Sequence, residues 1–272
     1  MSEDDNKSVM YSSEEVERTL NDTFLTDALR VARKKELELL QEELGTLYDF
    51  FKTPLKIFDI GVGDGYVPIN LQRKLLNNIE GYIGIDNSLR ELKQFEKNVH
   101  EAKLENKIRA FEFDANNLAD VSFHQKLPLP FHAVICTYFT PGNFRPDEIK
   151  LEEDEAGHIK SYPIEILNPN KKFQKVFSEA YKLLCDGGKL ILGSIYIDSP
   201  TTRLKQEEFY KNCGMHVIST KKDSFTATRE GFWSQRFTNE KIYSYFNWID
   251  RNKIKFLPLD SENFAQMIIV TK

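Results

Sequence analysis

The chain has 272 residues, 40% of them hydrophobic, with 37 basic against 42 acidic side chains and a formal charge of -5. That content can bury one substantial core, and the length favours one domain with an appendage over two equal domains. The acidic balance lacks the clustered cations of a nucleic-acid surface, and no run approaches the ~18 apolar residues of a spanning helix, so neither nucleic acid nor membrane is the expected partner.

Cys136, Cys185 and Cys213 form neither an even set nor a C-x-x-C pair, and two of them sit in apolar runs, which fits a reducing compartment. The opening Met-Ser-Glu-Asp-Asp-Asn has no apolar core of a secretory signal, so a cytoplasmic location is expected. Residues 1 to about 10 are polar and acidic and are expected to be disordered. Ser12 followed by early acids predicts a helix start, and strong helix formers predict a second helix from Leu25 to Phe51. Residues 1–50 thus read as a helical extension ahead of the core.

Lys56-Ile-Phe-Asp-Ile then runs straight into Gly61-Val-Gly63-Asp-Gly65, and from Tyr66 apolar residues recur at helical spacing. Glycine permits a sharp turn and a close approach of backbone to a ligand, and the following helix N-terminus offers free N–H groups, so this is a strand-to-helix cofactor corner. The nicotinamide fingerprint needs a small residue three places after Gly63, where this chain has Tyr66. Glu80 to Asp86 predicts a second strand ending in a carboxylate about 20 residues past the glycines, where a ribose diol is expected. Asp86 is either that diol acceptor, with Asn87 beside it, or the N-cap of a helix beginning near Ser88. Ile108 to Asp114 predicts a third strand, and Phe131 to Thr140 a fourth, carrying Thr137 and Tyr138 at its exit. A helix running into Leu183-Leu-Cys-Asp-Gly-Gly188 and a strand over Lys189–Tyr196 follow.

The spacing Asp59-x-Gly61-x-Gly63-x-Gly65 resembles motif I of the class I S-adenosylmethionine (SAM) dependent methyltransferases, and the Leu-x-x-Gly-Gly turn into strand five is similar to theirs. The resemblance implies an α/β, doubly wound, Rossmann-like, mostly parallel seven-stranded sheet with a C-terminal antiparallel hairpin, N-terminal helices and a small inserted unit after strand five. It implies a SAM-binding domain over 51–272, with substrate insertions near 141–170 and 200–235. It assigns the cofactor to Asp59, Gly61, Gly63, Gly65, Asp86, Asn87 and Thr137, with Asp114 and Ala115 meeting the adenine. N-terminal helices in this family close over the site and supply a group to the substrate, which makes Tyr11 and Phe24 lid candidates; the alternative is plain packing on the sheet.

The irregular stretch from Pro141 to Asn170 follows strand four directly and reads as a substrate loop. Its acid cluster Glu148 to Glu155 either attracts a cationic amine or is simply solvated. His158 near Asp154 and Glu155 fits no metal-ligand spacing, and no metal is expected. After strand five, a helix over Arg203–Asn212 and strands over Met215–Thr220 and Ser224–Trp233, joined by Lys221-Lys-Asp, predict a hairpin unit. Thr238 is expected to cap a further helix, and Ile254–Leu257 and Ala265–Val270 to close the sheet. Gly142-Asn143-Phe and Thr228 to Thr238 resemble substrate-contacting segments of the histidine-betaine-forming methyltransferases, which implies Asn143 and Ser234 as substrate contacts. An imidazole-reading acid of that family would align with Phe232, which argues against histidine itself as substrate.

SAM transfer asks mainly for positioning, because the cofactor carries the hard step. Tyr138 is the candidate to orient the acceptor, or else packs on adenine or core. The expected activity is methyl transfer to a small molecule, an amine or amino-acid-like acceptor. Two other readings stand beside it: aminopropyl transfer from decarboxylated SAM, and SAM binding without catalysis.

Overall fold

The computed structural model describes residues 14–20, 22–146, 152–153, 159–161, 170–218 and 224–272. Seven strands make one sheet: β1 (Leu55–Ile60), β2 (Ile79–Asp86), β3 (Ile108–Glu112), β4 (Phe131–Cys136), β5 (Leu184–Tyr196), β6 (Ile254–Pro258) and β7 (Ala265–Thr271). Their order is β6-β7-β5-β4-β1-β2-β3. The first five pair in parallel, whereas β7 runs antiparallel to both β5 and β6. This is the doubly wound sheet with a terminal antiparallel hairpin that the sequence predicts.

Both sheet faces are covered, which is why the inner strands read as near-continuous apolar runs. Around the sheet lie α1 (Asp27–Phe51), α2 (Tyr66–Leu75), α3 (Leu89–Glu101), α4 (Lys171–Lys182), α5 (Pro200–Asn212) and α6 (Asn239–Tyr245). Leu40, Leu44 and Leu47 of α1, Leu71 of α2 and Phe95 of α3 pack with Ile57, Ala133, Ile135 and Ile191 on one face. Phe173 and Phe177 of α4 and Ile242 of α6 pack with Phe58, Ile83, Val134 and Leu190 on the other. Strand alternation therefore sends Asp59 to the same side as Ile57, the side of α1.

Helix α1 starts where the Thr26 hydroxyl accepts from Leu29 N, and it ends at Lys52 in the left-handed region, whose N–H reaches Tyr48 O. Its buried residues, Leu29, Ala32, Glu36, Leu40, Leu44 and Leu47, recur at helical spacing, with one carboxyl group in the middle of the stripe. Thr238 caps α6 by accepting from Lys241 N, as expected.

Two expectations need correction. Strand five begins at Leu184 rather than Lys189, because the Phe131–Leu184 pair already joins the ladder and the Gly-Gly segment is absorbed as a bulge before Ala133 meets Lys189. The expected single strand over 224–233 is split into Phe225–Ala227 and Trp233–Gln235, which pair as a hairpin, while the described part of the preceding segment pairs with it as expected, Ile218 N donating to Ala227 O and Arg229 N to His216 O. Gly231, at φ 88°, supplies the left-handed turn that folds 224–233 back on itself, and Val217 meets Thr228 only as an isolated bridge. Tyr11, the Lys221-Lys-Asp turn, His158 and most of the acidic loop lie outside the described residues.

Candidate functional site

The chain winds from β1 outward to β3, then returns to lay β4 on the other side of β1. A crevice opens beyond the strand ends at such a reversal, and it is where ligands bind in open α/β sheets. The turn after β1 and the exit of β4 meet there: a Cβ on Gly61 would lie 2.6 Å from Thr140 Cγ2, and φ there is 77°. Only glycine lets these two segments approach so closely.

Asp86, at the end of β2, ties the turn down. Its Oδ2 accepts from Gly63 N at 2.9 Å and its Oδ1 from Ser88 N at 2.9 Å. The cap of α3 belongs to Ser88, whose hydroxyl accepts from Glu91 N. Burial raises the Asp86 pKa, opposed by the surrounding backbone N–H groups. One strand over, Phe113 N donates to Asp86 O, and Asp114 follows at the same edge. Asp114 caps the short turn Ala115–Asn117 by accepting from Asn116 N; Ala115 is buried and Asn87 exposed.

Beneath the turn lie two buried carboxyl groups. Asp59 is fully buried, and its Oδ2 accepts from Tyr82 Oη at 2.5 Å, while Oδ1 has no hydrogen-bond partner among the described residues. Burial pushes its pKa up to about 7, with Asp86 adding repulsion. Glu36 reaches in from α1, where Oε1 accepts from Tyr138 N at 3.0 Å and Oε2 accepts from the Ser194 hydroxyl. It is also pushed up to about 7, chiefly by burial. The carboxyl group lies over Gly193, where any Cβ would collide with it. Glu36 thereby holds the backbone of Tyr138 and Phe139, both left-handed at φ 51° and 64°.

On the α1 side of the β4 exit is a cavity of about 50 Å³. Leu25, Leu29 and Arg33 come to it from the N-terminal segment, Tyr138, Thr140 and Asn143 from the β4 exit, and Tyr196, Tyr210, Phe232 and Ser234 from beyond. The Arg33 guanidinium carbon sits 5.0 Å from the Tyr138 ring centroid, and Nη2 donates to Thr19 O at 3.4 Å. Phe139 stacks on Tyr196 at 4.1 Å. Behind Tyr210 is a buried polar network: Gln206 Nε2 donates to Tyr210 Oη, and Gln206 Oε1 accepts from Thr226 and from Arg236. Asp198 faces the Arg236 guanidinium at 3.4 Å.

The structure thus gathers Asp59, Gly61, Gly63, Asp86 and Asp114 along one edge of the sheet. Thr137 is buried at the end of β4, and Tyr138, Asn143 and Ser234 share the cavity. Gly142 explains the last pairing, since a Cβ there would meet Ser234 Oγ at 2.9 Å. Phe24 packs on the core beneath Arg18 and is not part of the cavity wall. Glu36, Arg33, Tyr196 and Tyr210 escape the sequence reading. Glu36 alone carries a visible signal, an acid at a core position of an otherwise apolar helical stripe. Among the described residues no group of His, Cys, Asp and Glu could hold a metal, and no helix is long and apolar enough to cross a membrane.

A family model described as a methyltransferase domain matches residues 52–247. No curated protein matches the sequence. Among solved structures, a SAM-dependent methyltransferase from Clostridium acetobutylicum ATCC 824 superposes with a TM-score of 0.55 at 13% identity, covering 88% of this chain and 91% of that one. A protein from Pyrococcus horikoshii OT3 gives 0.55 at 15% identity over 93% and 95%. The SAM-dependent methyltransferase SibL gives 0.51 at 12% identity, covering 82% of this chain and 52% of the other, so this chain spans about half of that neighbour. At such identities the superpositions establish a shared fold, while the family match covers most of the chain. On the strength of that match, the switch-point crevice and the glycine turn, the chain belongs to the methyltransferase-domain family, the class I enzymes that use SAM.

Proposed function

We propose that the chain transfers the methyl group of SAM to a small-molecule acceptor held in the cavity beside Tyr138. The observation that carries this is the cavity itself: it lies against the β4 exit, where Gly61 lies against Thr140, and its wall mixes apolar side chains with the polar groups of Asn143, Ser234 and Tyr210. The acidic composition of the chain points the same way.

The residues at the crevice fit the cofactor. SAM offers a ribose diol, an adenine amino group and two cationic centres. A carboxylate has about four acceptor positions, so Asp86 keeps capacity for the diol after accepting from Gly63 and Ser88. Asp59 has an orphaned buried oxygen suited to a cationic donor. In this reading Gly61, Gly63 and Gly65 give the backbone approach, Asn87, Asp114, Ala115 and Thr137 frame the nucleoside, and Thr19, Leu25, Leu29 and Arg33 of the N-terminal segment wall the acceptor side. Bound SAM supplies a methyl group on a sulfonium leaving group. The protein holds donor and acceptor in line and keeps water out.

Tyr138, Asn143 and Ser234 orient the acceptor, with Glu36 fixing the Tyr138 backbone. The test is a metabolite-pool screen that follows S-adenosylhomocysteine release, with mass spectrometry for the product heavier by one methylene. A pool of small metabolites should support turnover that purified nucleic acids do not. Turnover with nucleic acid alone would refute the small-acceptor reading.

A further inference from the structure

Three buried hydroxyl groups, those of Tyr196, Tyr210 and Ser234, line the cavity together. Tyr210 is the centre of the group, with Tyr196 and Ser234 as its hydroxyl neighbours. Among the described residues the other side chain bonded to the trio is Gln206, whose Nε2 stands 3.1 Å from Tyr210 Oη. The direction of that bond is decided behind the cavity. Arg236 has donors only, and its Nη1 lies 2.7 Å from Gln206 Oε1 and 2.6 Å from Thr226 Oγ1. Thr226 therefore accepts from Arg236 and turns its own proton to Gln206 Oε1, at 2.7 Å. The Gln206 oxygen is thus committed away from the cavity, and its amide must donate to Tyr210. This leaves the trio with a surplus. Its three hydroxyls carry three protons but share two links, Tyr210 to Tyr196 and Tyr210 to Ser234, and Gln206 cannot accept the third. At least one O–H therefore faces whatever occupies the cavity.

We infer that the methyl acceptor carries a carbonyl-type oxygen, and that the Tyr196–Tyr210–Ser234 hydroxyls bind it by donating their spare proton. The inference rests on the small-acceptor reading above and deepens it. The reacting lone pair is not the partner, because a lone pair held in a hydrogen bond is not available to attack the sulfonium. A second, non-reacting acceptor atom is required. A carbonyl oxygen accepts and brings no proton, whereas a hydroxyl or an amine would add another donor to a group already in surplus. The phenols act here as donors and not as bases: burial pushes the Tyr210 pKa up to about 12 and raises that of Tyr196 well above its ordinary value, so both keep their protons at neutral pH. A buried donor left without a partner is costly, and that cost discriminates against a molecule that lacks the oxygen.

The test uses cyclohexanone and methylenecyclohexane, which are close in shape and differ in the acceptor oxygen. Thermal shifts of the full chain are read with each at millimolar concentration, with and without saturating S-adenosylhomocysteine, and infrared difference spectra record the bound carbonyl stretch. The ketone should bind about tenfold more tightly than the alkene, because the alkene leaves a buried O–H unpaired. Gln206→Glu keeps one oxygen for Arg236 and Thr226 but offers a second to Tyr210, which takes up the spare proton. That variant should lose the preference for the ketone, and the bound carbonyl should stretch at a higher frequency than in wild type. Gln206→Met disturbs the same network without supplying an acceptor, and should keep the preference. A wild type that does not prefer the ketone, a Gln206→Glu variant that still does, or a loss shared by both variants would overturn the inference. The ketone-to-alkene contrast on wild type decides the matter if the variants fold poorly. Failure of S-adenosylhomocysteine to bind at all would instead count against the methyl-transfer reading, since the probe contrast without cofactor is scored separately.

Discussion

Replacing Glu36 by Gln should stabilise the protein at alkaline pH, although it alters a fully buried side chain that makes two hydrogen bonds. The carboxyl group has an ordinary pKa of 4.5, and burial moves it to about 7 in the folded state. Each pKa unit corresponds to about 1.4 kcal/mol, so ionised Glu36 disfavours the folded state by roughly 3 kcal/mol. The sign follows from proton binding. As pH rises above 4.5 the unfolded chain loses the proton first, the folded chain retains it to about 7, and stability falls across that window and stays low above it. The glutamine of the variant cannot ionise. Its carbonyl still accepts from Tyr138 N, and its amide can donate to Ser194 Oγ, so the geometry survives.

Urea unfolding of both proteins between about pH 5 and 8 should therefore show Glu36→Gln gaining on wild type by roughly 3 kcal/mol as pH rises. Asp59 titrates in the same window in both proteins, so its own contribution falls out of the difference, and its repulsion of Glu36 is already contained in the Glu36 shift. A stability difference that does not change with pH would refute the reasoning, and so would a wild type more stable at pH 8 than at about pH 5.

Other outcomes follow from the same geometry. Asp86→Asn opposes an amide N–H₂ to the Gly63 or Ser88 N–H, and calorimetry should show SAM binding weakened by about 10- to 100-fold. SAM, with a net positive charge, should bind more tightly as pH rises through about 7, where Asp59 ionises, and neutral S-adenosylhomocysteine should show less of this dependence. Gly193→Ala should be destabilising because its Cβ enters the Glu36 carboxyl group, and Glu36→Ala in the same chain should relieve that cost, measured as a non-additive double-mutant cycle in urea. Asn170→Ala should cost about 2–4 kcal/mol, since the buried amide donates to Phe144 O and Gln235 Oε1 while its oxygen caps α4 through Phe173 N.

The parts of this molecule that are legible in the sequence are those in which local chemistry and tertiary role coincide. An apolar run into alternate glycines can only be a strand turning under constraint, and Asp86 and Asp114 end strands whose period-two pattern is plain. The 215–235 region resists because the segment around Ala227 pairs on both edges, with Ile218 on one side and with Trp233 on the other, and the break between its two strands is set by the left-handed φ of Gly231. Strand five reads as starting late because its glycines look like a turn, while the ladder to β4 holds them as a bulge.

Tyr138, Asn143 and Ser234 of the cavity wall are named by the resemblance, but its α1 side cannot be read from the sequence, because it depends on side chains that meet across long stretches of chain. Tyr138 N meets Glu36 102 residues away, and Ser194 meets the same carboxyl group 158 residues away. What brings them together is the stripe of α1. With Leu29, Ala32, Leu40, Leu44 and Leu47 buried, helix geometry leaves Glu36 no route to solvent, and Arg33, three residues earlier, is carried to the cavity wall. One helix thus reaches two places at once: Glu36 fixes the β4 exit beside the glycine turn, and Arg33 lines the cavity against Tyr138. Glu36 is strongly penalised by burial, and apolar residues flank it on the stripe, so fold stability alone would favour a leucine there. A carboxyl group retained at such a position is accounted for by what it holds, the left-handed Tyr138–Phe139 backbone at the mouth of the site.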